Sequence, residues 1–298
     1  MKWLAPTLLA SILAAIAYCL SAQIILVPFA TVLILMLLAR SYWSHSQPYD
    51  RAKVVRVEDV SIPQLLKQFD PNVDAYAMMS SAVYRDDDYA QANEKQLKED
   101  GWTLVEEAPQ RSLYWHIWSK EKLAVVVFRG TRFKNPSDWC ANLRWILRWL
   151  PPPDHFGQLL ADKDWKDRLS RFDRVVAVGH SLGGGLAQCF LYGVDCGEFE
   201  NRSKCKEVVS FNGSPVTAYR SVNQAIRDRN TEGARVLRIH EHREALAFIR
   251  GLLREFYPQG GSNPQITEVS CATAQGLTAI GRHGIDRLAS AFRGVRRE

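Results

Sequence analysis

Residues 175–186 read VAVGHSLGGGLA, and that dozen restricts the fold more than any other part of the chain. β-Branched residues run into Gly179-His180-Ser181-Leu182-Gly183 and then into small residues suited to a helix packed closely on a sheet. A strand that turns at once into a helix holds its corner residue in a strained backbone conformation with the side chain lifted clear of the sheet. The positions two before and two after the corner must then be nearly free of side chain. Gly179 and Gly183 meet that demand, and Ser181 stands at the corner. The apolar stretch 172–178 and the following GGGLAQCFLYG supply the strand and helix that a chance G-x-S-x-G match lacks. Ser181 is the expected nucleophile, with His180 next to it in the turn.

At 298 residues the chain has room for one large domain or two small ones, and no segment repeats. The formal charge of +6 gathers after the apolar amino terminus (Arg40, Arg51, Lys53, Arg56) and at the carboxyl end (Arg282, Arg287, Arg293, Arg296, Arg297). Basic groups so placed suit an anionic lipid surface or a solvated tail. Without a nucleic-acid fold signature, no nucleic-acid partner is expected. Six cysteines (Cys19, Cys140, Cys189, Cys196, Cys205, Cys271) lack C-x-x-C spacing. That argues against a disulfide framework or a zinc site and makes free thiols in a reducing compartment the expectation. No metal or cofactor is called for.

Residues 3–20 are nearly all apolar, Ser21-Ala22-Gln23 interrupts them, and 24–39 are apolar again before Arg40. One helix over both runs would be about 55 Å long at ~1.5 Å per residue, against a hydrocarbon core of ~30 Å. Two short passes, or a helical hairpin that dips into the bilayer without crossing it, fit better. Lys2 and Arg40 flank the outer ends, which puts both ends and the rest of the chain on the cytoplasmic side, as in a bacterial inner membrane. Tyr42 and Trp43 suit the interfacial belt. A signal peptide cleaved near Ser21 is the alternative, and it leaves the second run as an anchor. A lipoprotein signal at Cys19 is disfavoured by bulky Tyr18. The organisation expected is therefore a membrane anchor over 1–40, a polar tether over 41–61 containing Pro48, and a catalytic domain over 62–298.

Within that domain, 74–84 patterns as a helix and 93–100 as a charged helix closed by Gly101. Strand-like stretches follow at 102–105, 113–118 and 123–128. Helix and strand then alternate: 143–150, 158–169, a strand at Val175, a helix at Leu186, a strand at 208–211, a helix at 216–227 and a strand at 235–239. Such alternation implies an α/β fold, a mainly parallel sheet with helices on both faces, and the serine elbow narrows it to the α/β-hydrolase arrangement.

The apolar strand ending in Phe128-Arg129-Gly130-Thr131 lies about fifty residues before the serine. A Gly-Thr at the carboxyl edge of the sheet offers a backbone N–H and a hydroxyl where ligands bind in such folds. Ester hydrolysis builds negative charge on a carbonyl oxygen, so donors fixed there in advance lower the barrier. Thr131 and the N–H of Leu182 fit that oxyanion role. The pairing of FRGT with GHSLGG resembles the class 3 (fungal-type) lipase family. The likeness runs from about Asp74, where AYAMMSSAVY is similar to the family's opening helix, to about Ala291. It includes Asp138-Trp139 and a His155-Phe156-Gly157 similar to the family's His-x-Gly turn.

A serine hydroxyl needs a histidine to take its proton and a carboxylate to orient that histidine, in the chain order serine, acid, histidine. His240, His242 and His283 follow Ser181. The first two sit too close to the strand at 235–239 to leave room for an acid, so His283 is the expected base. The acid belongs in the loop after a late strand, where Glu241 and Glu244 stand. The family's Arg-Asp pair past that strand resembles Arg243-Glu244, which implies Glu244, although glutamate replaces aspartate and Ala247 replaces a nearby proline. Glu241 is the reserve and Asp228 a distant third.

Between Thr131 and His155, Trp139, Trp145 and Trp149 with Arg144 and Arg148 form a short aromatic and basic segment stopped by Pro151-Pro152-Pro153. Such a segment either lies among lipid headgroups or packs its tryptophans on the core. In the family this region resembles the lid over the serine. The resemblance implies a membrane-bound serine hydrolase cleaving carboxylic esters of acylglycerols or phospholipids through an acyl-enzyme. Acyl transfer on the same triad, or a non-catalytic membrane-tethered scaffold, are the competing functions.

Overall fold

The apolar runs of the chain form an eight-stranded sheet in which helices connect most of the parallel neighbours. A computed structural model describes residues 36, 54–57, 64, 70–85, 88–108, 113–130, 155–199, 202–242, 264–271 and 284–295. In chain order the elements that matter here are β1 (Val54–Val57), α1 (Val73–Ala82), α2 (Asp88–Glu99), β2 (Thr103–Glu107), β3 (Trp115–Lys120), β4 (Leu123–Phe128), α3 (His155–Ala161) and α4 (Trp165–Arg168). They continue with β5 (Arg174–His180), α5 (Leu182–Gly193), β6 (Glu198–Phe199), β7 (Arg202–Ser203), β8 (Cys205–Phe211), α6 (Gln224–Thr231), β9 (Arg235–Glu241), β10 (Gln265–Cys271) and α7 (Ile285–Val295).

The sheet order is β1-β10-β9-β8-β5-β4-β3-β2. From β4 to β1 every neighbouring pair is parallel; β3 is antiparallel to β4, and β2 to β3. The carboxyl ends of β4, β5, β8, β9 and β10 therefore share one edge. Successive side chains of a strand face opposite sides, and each side has its own core. On one, Val125, Val127, Val176, Val178, Phe211 and Ile239 pack with α1 and α7. On the other, Phe128 meets Phe190 of α5 and Trp165 of α4 at ring-centroid distances of 5.6 and 6.1 Å. Helix α7 buries Ile285, Leu288, Ala289 and Phe292, the i, i+3, i+4, i+7 stripe of an amphipathic helix.

Three local expectations change. Val54–Val57, read within the tether, is instead the edge strand β1, parallel to β10, so the sheet begins before residue 62. The helix expected over 216–227 is broken: Ala218 has a left-handed φ of +53°, a 3₁₀ turn covers Tyr219–Ser221, and Asn223 caps α6 by accepting from the Ala225 N–H at 2.9 Å. Strand β10 was not anticipated. Among the described residues no helix is long and apolar enough to cross a membrane. The expected hairpin over 1–40 lies outside them, apart from Met36, an exposed helical residue in the separate unit Met1–Trp43.

His116 of β3 is fully buried, and neither ring nitrogen has a hydrogen-bond partner among the described residues. Burial, aided by the charges of Arg85 and Arg129, pushes its pKa down to about 3. The unfolded chain therefore takes up this proton near pH 6.5 while the folded chain resists it, so stability is full above that pH and falls as pH drops toward 3. The loss is of the order of 3–5 kcal/mol. From pH 7 down to 4 the thermal midpoint of the wild type should fall further than that of His116→Leu. Parallel profiles would contradict this assignment.

Candidate active site

Ser181 follows the last residue of β5 and has φ +56° and ψ −124°, a conformation costing a non-glycine residue about 1–2 kcal/mol. Three backbone hydrogen bonds hold it there: its N–H donates to the Phe211 carbonyl at 3.0 Å, and its carbonyl accepts from Gly184 at 3.0 Å and Ser214 at 2.9 Å. A Cβ on Gly179 would overlap the Gly183 backbone, and one on Gly183 would overlap the Phe128 carbonyl of β4. The glycine spacing thus serves a close approach of strand, helix and neighbouring strand.

That approach brings Gly130 next to the serine. A Cβ on Gly130 would stand 3.2 Å from the Ser181 Cβ and 2.7 Å from the Tyr84 hydroxyl oxygen. Leu182 opens α5, so its N–H has no acceptor within the helix. Helix α5 is held at its first turn by a buried polar chain. The Gln188 amide donates to the Gly184 carbonyl at 3.1 Å, and Arg238 donates to Gln188 Oε1 at 2.7 Å and to Glu268 at 3.1 Å. A half-buried arginine uses those acceptors to offset its desolvation.

Tyr84, two residues past α1, was not singled out from the sequence. Its hydroxyl lies 3.0 Å from His180 Nδ1, with the rings edge to face at 6.1 Å. Burial raises the phenol's pKa, the Gly130 backbone N–H opposes that rise, and Asp286 of α7 adds to it. One phenol therefore bridges the end of β4 and the elbow. Its only signal in the sequence is the position at the close of the AYAMMSSAVY helix. Asp286 also accepts from Ser81 at 2.7 Å, and Ser81 accepts from Asn93 at 2.9 Å, fastening the first turn of α7 to α1 and α2.

Among the residues expected to form the site, Ser181, Leu182, Gly179, His180 and Gly183 lie together at the carboxyl edge of the sheet. Thr131, Glu244 and His283 lie outside the described residues, as do Trp139, Trp145 and Trp149. Glu241 ends β9 at the same edge as Ser181. It is buried, its N–H donates to Asn212 Oδ1 at 2.8 Å, and its charge adds to the burial that pushes Cys271 up to about 12. Asp228 belongs to the far edge: it precedes Asn230 and Glu232, whose carbonyls accept from Lys206 at the start of β8. It is removed from the acid candidates. No cluster of three His, Cys, Asp or Glu able to hold a metal occurs among the described residues.

A family profile described as a Tle-like phospholipase domain, of a phospholipase-like group, matches residues 75–199, from α1 past the end of α5. Curated proteins give no significant match. Among solved structures the chain is similar to the Rhizomucor miehei lipase in its propeptide complex. The two are 15% identical with a TM-score of 0.37, over 61% of this chain and 65% of the lipase, just under two thirds of that protein's length. It is also similar to an esterase of Pyrococcus furiosus (11%, TM-score 0.32, 66% and 93% covered) and to Est1E of Butyrivibrio proteoclasticus (11%, TM-score 0.30, 65% and 98%).

If the Tyr84 hydroxyl fixes the elbow against β4, Tyr84→Phe should slow the reaction of Ser181 with a fluorophosphonate about 10-fold. That corresponds to a hydrogen bond of ~1.4 kcal/mol. Its thermal midpoint should fall by only a few degrees. An unchanged labelling rate would leave Tyr84 a packing residue alone.

Proposed function

We propose that this protein is a membrane-bound serine hydrolase that cleaves carboxylic esters of phospholipids or acylglycerols through an acyl-enzyme. The observation that carries the reading is the left-handed Ser181 at the junction of β5 and α5, with Gly130 against it. In the proposed reaction the Ser181 hydroxyl attacks the ester carbonyl while His283 takes its proton. The carbonyl oxygen, now negative, is held by the Leu182 N–H and by Thr131. His283 then returns the proton to the departing alcohol, and water, deprotonated by the same imidazole, releases the fatty acid. Glu244 orients His283 and stabilises its charged form.

Chain connectivity supports this set. Thr131 comes three residues after β4, Glu244 three after β9, and His283 twelve after β10. All three strands end at the edge that carries Ser181. His283 directly precedes Gly284 and α7, and the first turn of α7 contains Asp286, whose charge reaches Tyr84. Glu241, buried at the end of β9, keeps its place as the second acid candidate. The phospholipase-like profile over 75–199 favours a phospholipid substrate. The apolar segments in 1–40 and the tryptophans of 131–154 favour substrate entering from a bilayer at the cytoplasmic face of an inner membrane.

The test is hydrolysis of phosphatidylcholine and phosphatidylglycerol vesicles by the full chain, with products identified by mass. Free fatty acid and lysophospholipid should appear, and acyl transfer to an added alcohol should remain minor. Ser181→Ala should abolish both turnover and fluorophosphonate labelling. Removing a triad acid costs roughly 10⁴-fold in turnover, so Glu244→Gln should fall by that order and Glu241→Gln far less. Labelling that survives Ser181→Ala would defeat the proposal, and the reverse ranking of the two glutamates would move the acid to Glu241.

A further inference from the structure

Far from the serine edge, two buried thiols face each other at the base of a small hairpin. Helix α5 ends at Gly193, and the chain runs through Cys196 into β6 and β7 before entering β8 at Cys205. The hairpin register pairs Phe199 with Arg202 and Glu198 with Ser203. One step further in, the Lys204 N–H donates to the Gly197 carbonyl at 3.1 Å. Continued by one step, that register would set Cys196 opposite Cys205, and Ser203 touches both. Both are free and almost completely buried, at 1% and 2% exposure. Cys196 Sγ lies 3.6 Å from Ser203 Oγ, which in turn donates to the Cys205 carbonyl at 3.4 Å.

Hydrogen bonding between the two thiols lowers the pKa of Cys196 and raises that of Cys205. The Cys205 thiol lies 3.9 Å from the Glu207 carbonyl, to which it donates, and Cys196 is the thiol of the two that ionises more readily. Directly opposed residues of an antiparallel pair have Cα atoms about 4.5–5.5 Å apart, within the span of about 4.4–6.8 Å that a disulfide needs. The other described cysteines stand in different elements. Cys189 lies in α5, and Cys271 in β10 donates to the His240 carbonyl.

We propose that Cys196 and Cys205 are an oxidisable pair that closes a disulfide across the base of the β6–β7 hairpin, joining the exit of α5 to the first residue of β8. The oxidant is a low-molecular-weight disulfide such as oxidised glutathione. The Cys196 thiolate attacks one of its sulfurs and expels a glutathione thiolate. Cys205 loses its proton, attacks the Cys196 sulfur of the mixed disulfide and expels the second glutathione. Two protein thiols are oxidised and one external disulfide is reduced to two thiols, which take up the released protons. The pair sits at the opposite edge of the sheet from Ser181, and its chemistry does not depend on the ester reaction.

The test is a redox titration of the full-length wild type in detergent, from reduced to oxidised glutathione, followed by acid quenching, denaturation, alkylation and tryptic mapping. Trypsin cuts after Arg202 and Lys204, so the bridge appears as two peptides of one chain joined through Cys196 and Cys205. Those two cysteines should escape alkylation together while Cys189 and Cys271 remain alkylated. Cys205→Ser should instead accumulate a single glutathione on Cys196. Full alkylation of Cys196 and Cys205 at the oxidised limit would overturn the proposal. So would separate glutathione adducts without a link in the wild type, or a link only between two copies of the chain.

Discussion

The contact between the elbow and the end of β4 governs the rest of the arrangement. Ser181 holds an unfavourable backbone conformation because Gly179, Gly183 and the Phe128 carbonyl meet with no room for another carbon, and because three backbone hydrogen bonds close around it. Neighbours such as Phe211, Ser214 and Gly130 are fixed by the same packing. The ~1–2 kcal/mol of strain at one residue is offset by a sheet buried on both faces, and it leaves the serine nearly buried, at 5% exposure.

Around that contact, polar groups tie helices to the edge where the strands end. The phenol of Tyr84 reaches His180 and Gly130, and the first turn of α7 is anchored through Asp286 and Ser81. On the opposite face the Arg238, Gln188 and Glu268 chain holds the start of α5. Each is buried or half-buried, so each acts in surroundings that strengthen a satisfied hydrogen bond and penalise a broken one. The Leu182 N–H, the proposed oxyanion donor, would draw on that rigidity, because an oxyanion site lowers a barrier only when its dipoles need not reorganise.

What could be read from the sequence is what is encoded locally. The glycine spacing around Ser181 and the unbroken apolar run of β4 each declare an element within a dozen residues, and both elements appear in the structure. Strand β1 does not declare itself: four residues among charges become a strand only by pairing with β10, over two hundred residues away. The break at Ala218 comes from a left-handed turn among packed neighbours, against a helical pattern. In the sequence Tyr84 only closes a helical pattern, and its hydroxyl acquires a role when β4 and β5 end side by side.

In the proposed reaction one edge of this sheet gathers a serine, an imidazole and an anion-holding pair into a single centre. A crystal structure of the full chain after inactivation by a lipid-like fluorophosphonate tests it most directly. The phosphorus should be bonded to Ser181 Oγ, its oxygen should accept from the Leu182 N–H and from Thr131, and the His283 imidazole should lie within hydrogen-bond reach of Oγ with Glu244 behind it. Phosphorus on another residue, or a different histidine beside the adduct, would contradict the account.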